Sequence, residues 1–150
     1  ILALDPAMFR VTIFKKGGDF VSMFGQISGL LGGFSMPTNL DADDKWIYIS
    51  DANRAMIVVF GLDGRPVVEF GGLGRGSENL MWPNDVKVDG KGRVFVSDTG
   101  NRELKIFEVI EPVDSDGDGI VDLLDSCPVE AGLKELKGCQ PKKETESEGK

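Results

Sequence analysis

The chain has no histidine. Without an imidazole there is no His-dependent triad, no His-ligated zinc and no C-x-x-C-H haem attachment, and the commonest general base is missing. Cysteine is nearly as scarce: Cys127 and Cys139 are the only two in 150 residues. Two thiols fall short of the four soft or nitrogen ligands of a structural zinc site. They bracket a short loop with Pro128, Gly132 and Gly138, and a disulfide or two free thiols are the readings left. The disulfide is the expectation; closing such a loop contributes about 3 kcal/mol on chain-entropy grounds and points to a compartment outside the reducing cytosol.

Positive charge is also short, with 17 Lys and Arg against 25 Asp and Glu. Salt-sensitive binding to nucleic-acid phosphates is therefore not expected. No apolar run approaches the roughly eighteen residues of a membrane span, and no charged start followed by an apolar core marks a signal peptide. The first residue is Ile and not Met, so either a leader has been removed or this is the C-terminal portion of a longer protein, and the repeats described below make the second the expectation.

What is present divides in two. Residues 111–126 carry six acidic residues and no basic one, so six of the eight net negative charges lie in one loop. Residues 1–110 repeat themselves. "MPTNLDADDKWIYISDANRAMIVVFGLDGRPVVEFGGLG" from Met36 is matched by "WPNDVKVDGKGRVFVSDTGNRELKIFEV" from Trp82. Pro37 aligns with Pro83 at an offset of 46, Ser50-Asp51 with Ser97-Asp98 at 47, and Asn53-Arg54 with Asn101-Arg102 at 48. Those offsets imply one residue gained in each of two turns.

A fainter copy stands at the front, with Ile1, Asp5, Phe14 and Phe24-Gly25 aligning at 46 with Ile47, Asp51, Phe60 and Phe70-Gly71. It lacks the Asn-Arg pair, so its second turn is expected to be held differently.

Each copy breaks into short β-branched and aromatic segments, in the middle copy "NLDAD", "WIYIS", "MIVVF" and "PVVEF", joined by turn residues. Four short strands per unit of forty to fifty residues predict a propeller blade. Asp51 and Asp98, with their Asn-Arg neighbours, are expected to satisfy turn backbone and to pair with arginine, since a motif that recurs in each unit serves the fold.

The residues Pro83, Val86, Val88-Asp89, Gly92, Val94-Phe95-Val96, Ser97-Asp98, Asn101-Arg102 and Ile106-Phe107 resemble NHL repeats. That resemblance implies an all-β, partial β-propeller of four-stranded antiparallel blades, about two and a half of them in residues 1–110. The expected divisions are a partial blade at 1–36, a full blade at 37–82 and a partial blade at 83–110. The first copy supplies three strands, the middle four and the last three, and ten strands cannot close a ring. Exposed blade faces then imply further propeller blades, a protein partner or a second copy; a self-contained smaller sheet domain is the alternative.

Numbered from Asp114, the acidic loop places Asp114, Asp116 and Asp118 at positions 1, 3 and 5 and Gly119 at 6. Ile120 falls at 7, Asp122 at 9 and Asp125 at 12. This is the spacing of a twelve-residue calcium loop, in which carboxylates and one backbone carbonyl converge from a tightly wound chain. Position 12 is Asp where an EF-hand carries Glu, and "FEVIEPV" before it is a strand and a proline instead of a helix. With Cys127-Pro128 and Gly138-Cys139, residues 114–139 resemble a thrombospondin type 3 repeat, which implies structural Ca2+ in an element expected to run over 111–139. Residues 140–150 read as a charged tail.

The functional expectation is a non-enzymatic, extracytoplasmic binding or scaffold protein in the periplasm, at a bacterial cell surface or secreted. The alternative is a metal-dependent lactonase-type hydrolase, because Asn84-Asp85 in "WPNDVKVD" resembles a metal-binding segment of gluconolactonase-type propellers. Its other ligands would lie on blades outside this chain. Trp82 is a core or loop anchor or an exposed binding anchor, and "GQISGLLGGF" and "GGLGRGSEN" are connectors.

Overall fold

A computed structural model describes residues 1–109 together with Ser115, Asp116, Cys127 and Leu133. The chain divides into two compact units, Ile1–Val109 and Ile110–Lys150. The described residues contain ten strands and no helix. They form three antiparallel sheets in chain order. The first sheet is β1 (Leu2–Asp5), β2 (Arg10–Phe14) and β3 (Phe20–Phe24). The middle sheet is β4 (Pro37–Ala42), β5 (Trp46–Asp51), β6 (Met56–Gly61) and β7 (Pro66–Gly71). The last sheet is β8 (Pro83–Val88), β9 (Arg93–Asp98) and β10 (Glu103–Glu108). The expected count of three, four and three strands is what the described residues form; closure into a ring is not shown.

Side-chain alternation explains the stacking of these sheets. Successive residues of a strand point to opposite faces, and in β5 and β6 both faces are apolar. Ile47, Ile49, Val58 and Phe60 point one way, onto Val11, Leu2, Leu4 and Phe24 of the first sheet. Tyr48, Ile57 and Val59 point the other way, onto Val86, Val94 and Val96 of the last. We call the side of a sheet that faces the preceding sheet its leading face and the opposite side its trailing face. Burying each such side chain is worth about 1.5–3 kcal/mol, so the middle sheet is held from both sides.

The hairpins revise two sequence expectations. The turn between β5 and β6 has four residues, and so does the turn between β9 and β10: Asp51 pairs with Met56, and Asp98 with Glu103. The offset therefore stays at 47, and the structural counterpart of Arg54 is Asn101, not Arg102. Only the β8–β9 turn has gained a residue. A left-handed residue occupies the fourth turn position each time, Phe9 at φ 55, Ala55 at φ 55 and Arg102 at φ 60. The two Asn-Arg pairs, alike at an offset of 48, thus do not occupy equivalent turn positions.

The first copy's turn is not held differently either. Asp5 Oδ1 accepts the backbone N–H of Met8 at 3.1 Å, as Asp51 Oδ1 accepts that of Arg54 at 3.0 Å.

Candidate interaction surface

The ends of the three sheets are built from different chemistry. At one end, the turns at 6–9, 52–55 and 99–102 meet the connectors between sheets. Asp51 gathers the connector 26–36, accepting the N–H of Ser35 at 2.6 Å and of Met36 at 3.0 Å. Asp98 repeats this one sheet later, accepting from Met81 at 3.1 Å and Trp82 at 2.9 Å, with Asn101 Nδ2 donating at 2.7 Å. Burial alone would raise the Asp98 carboxyl; the donors on Trp82, Met81 and Asn101 outweigh it and hold it below the usual carboxylate range. These aspartates are structural ties between a turn and the incoming connector, as their recurrence suggested.

The expected pairing of arginine with the turn carboxylate is not what Arg54 does. Its guanidinium makes a two-point contact with Glu69, at 2.8 and 2.6 Å, and donates to the Gly33 carbonyl at 2.6 Å. Glu69 Oε1 also accepts the Gly32 N–H at 3.0 Å. The first connector is thereby clamped by β7. On the second, Asn101 Nδ2 donates to the Gly74 carbonyl at 2.9 Å, and the buried amine of Lys105 donates to the Gly76 and Asn79 carbonyls, both at 2.6 Å. Sequence reading missed Glu69 and Lys105, because the groups they serve are 37 and 26–29 residues away.

With their backbones tied down, the connectors turn apolar side chains outward. Ile27, Leu30, Leu31 and Met36 on the first connector, Leu73 and Trp82 on the second, and Met8 on the neighbouring turn are all exposed; Leu30 and Leu73 reach 78% and 76%. Trp82 is therefore outside the core, whereas Trp46 packs against the cluster around Tyr48.

The turns at the opposite end are mostly charged. They contain Lys15, Lys16 and Asp19, then Asp43, Asp44 and Lys45, then Asp63 and Arg65 beside the exposed Leu62, then Asp89 and Lys91, with Arg93 opening β9. Asp89 accepts the Lys91 N–H at 2.8 Å and pairs with Arg93 Nε at 2.7 Å. The Lys91 N–H and the Arg93 contacts hold its carboxyl below the usual range against a smaller opposing effect of burial. Tyr48 donates to Asp43 Oδ2 at 3.2 Å, and burial together with the Asp43 charge pushes its hydroxyl well above the usual phenol range.

Asn84 is exposed, at a register shift between Pro83 and Asp85 that repeats the one between Pro37 and Asn39. The residue matching Asn84 in the middle sheet is Thr38, whose hydroxyl donates across sheets to the Pro83 carbonyl at 3.1 Å. The position is thus one that reaches toward a following sheet. Asp85 Oδ1 is buried and has no hydrogen-bond partner among the described residues.

Of the calcium-loop residues, Asp114, Asp118, Ile120, Asp122 and Asp125 lie outside the described residues, as does Cys139. Asp116 and Cys127 are described and half-buried; Cys127 is not a free thiol. No group of three metal-ligating side chains occurs among the described residues, and no helix among them is long and apolar enough to cross a membrane. Compared with known proteins, the chain matches no family model and no curated protein.

Proposed function

We propose that this chain is a non-enzymatic binding module that works outside the cytoplasm. Its three sheets are blades of an NHL-like β-propeller, and a protein partner docks on the connector end. The observation that carries this reading is the contrast between the two ends: seven large apolar side chains are exposed at one, on backbones fixed by Asp51, Asp98, Glu69 and Lys105, while the turns of the other are mostly charged and expose one large apolar side chain, Leu62. Apolar side chains held on an ordered backbone cost little further entropy on binding, which suits a protein interface.

In the same reading, residues 111–139 form a thrombospondin type 3-like element. Asp114, Asp116, Asp118, Asp122 and Asp125 with the Ile120 carbonyl hold a structural Ca2+, and Cys127–Cys139 is a disulfide. The ligand spacing supports the first, and the absence of a free cysteine among the described residues supports the second.

A peptide library displayed on phage and selected on the parent chain tests the docking surface, with Leu30→Glu/Leu73→Glu as the comparison. Peptides with apolar anchors should enrich on the parent and be lost on the double variant. Enrichment that survives the variant, or that Lys45→Glu/Lys91→Glu abolishes instead, would move the site to the other end and overturn the proposal.

A further inference from the structure

Among the described residues, the trailing face of the last sheet and the leading face of the first have no sheet packed on them. In the middle sheet the trailing positions Tyr48, Ile57 and Val59 are all buried against the last sheet. With the offset of 47 fixed by the hairpin register, the same positions in the last sheet are Phe95, Leu104 and Ile106. Leu104 is 67% exposed and Ile106 58%. Lys105 and Phe107 between and beside them point to the opposite side, Lys105 onto the connector carbonyls and Phe107 onto Phe70 at 4.9 Å. The sheet therefore presents an aliphatic row where its predecessor buries one.

At the other end of the stack, the leading face of the first sheet carries Ile1, Phe14, Phe20 and Met23. Ile1 pairs with Phe14 through two 2.8 Å backbone hydrogen bonds, and Phe14 is in register with Phe20. Ile1, Phe20 and Met23 are each more than half exposed. Their counterparts of Ile1 and Phe14 in the middle sheet, Ile47 and Phe60, are fully buried against the first sheet.

We infer that the last sheet of one copy packs its trailing face, through Phe95, Leu104 and Ile106, onto the leading face of the first sheet of a second copy, through Ile1, Phe14, Phe20 and Met23. The argument is that of complementary surplus. Trailing-on-leading packing occurs twice inside the chain, with aliphatic and aromatic side chains on both sides, and the described residues leave one face of each kind exposed. Such a contact joins two different surfaces, so it continues from copy to copy until a ring closes or a filament grows. It uses neither the connector end nor the acidic loop, and stands apart from the docking proposed above.

The test is sedimentation velocity of the full chain over rising concentration, with Leu104→Glu and Phe20→Glu as single variants. Both positions are exposed, so circular dichroism and melting of each variant should match the parent at low concentration. The parent is expected to form faster-sedimenting species, and each variant alone to remain monomeric. An equal mixture of the two should give a dimer and nothing larger, because Leu104→Glu retains an intact leading face and Phe20→Glu an intact trailing one. A parent that stays monomeric throughout, a variant that still associates, or a mixture that stays monomeric would overturn the inference and assign these faces to another occupant.

Discussion

A carboxylate that takes several backbone N–H groups is hard to replace, because each donor it leaves behind is buried without water. Asp98 is such a group, fully buried and tied to Met81, Trp82 and Asn101. Its folded pKa is depressed, so it contributes stability that is present above the ordinary carboxylate range and lost as pH falls through the folded value. Asp98→Asn should lower stability at neutral pH by about 1–3 kcal/mol and also flatten the acid limb. Melting temperature followed from pH 7 downward checks both; a variant as acid-sensitive as the parent would remove Asp98 as the cause. That Asp98 serves a turn was legible in the sequence from its recurrence with Asp51. That Arg54 would leave its own turn for Glu69 was not, since only the pairing of β6 with β7 brings the two together.

Among the elements, β5 and β6 differ from β10 in what lies over each face. Both faces of the middle strands are covered, whereas β10 is covered on the side of Lys105 and Phe107 and open on the side of Leu104 and Ile106. Phe60→Ala should cost about 3–5 kcal/mol, since the ring is fully buried and packs 4.6 Å from Phe24 and 5.7 Å from Phe34. Leu104→Ala, measured by urea denaturation at concentrations where the chain is monomeric, should lie within about 0.5 kcal/mol of the parent. Comparable losses at the two positions would mean that the trailing face of the last sheet is covered within the chain. Strand positions were readable because β-branched and aromatic segments alternate with Gly, Asp and Asn turns. The turn register was not, because Asn101-Arg102 imitates Asn53-Arg54 one residue out of phase.

For the whole molecule, two compact units carry the two features that the sequence made conspicuous. Chelation separates them: EDTA should speed amide exchange across residues 114–126 and leave the strands β4 to β6 protected, as read by hydrogen–deuterium exchange mass spectrometry. Unchanged exchange at 114–126 would argue against a Ca2+ ligand set there. The sequence by itself determined the all-β class, the three repeated units and the three-four-three strand count, because hydrophobic alternation and turn chemistry are local and recur at a near-constant spacing. It also located the acidic loop, whose spacing is a property of consecutive residues. Only the tertiary structure decided which faces of those strands are covered, which carboxylate Arg54 meets, and that the connectors hold their apolar side chains outward. These depend on contacts between residues far apart in the chain, and the stacking of one sheet on the next, not the pattern within any one of them, brings such residues together.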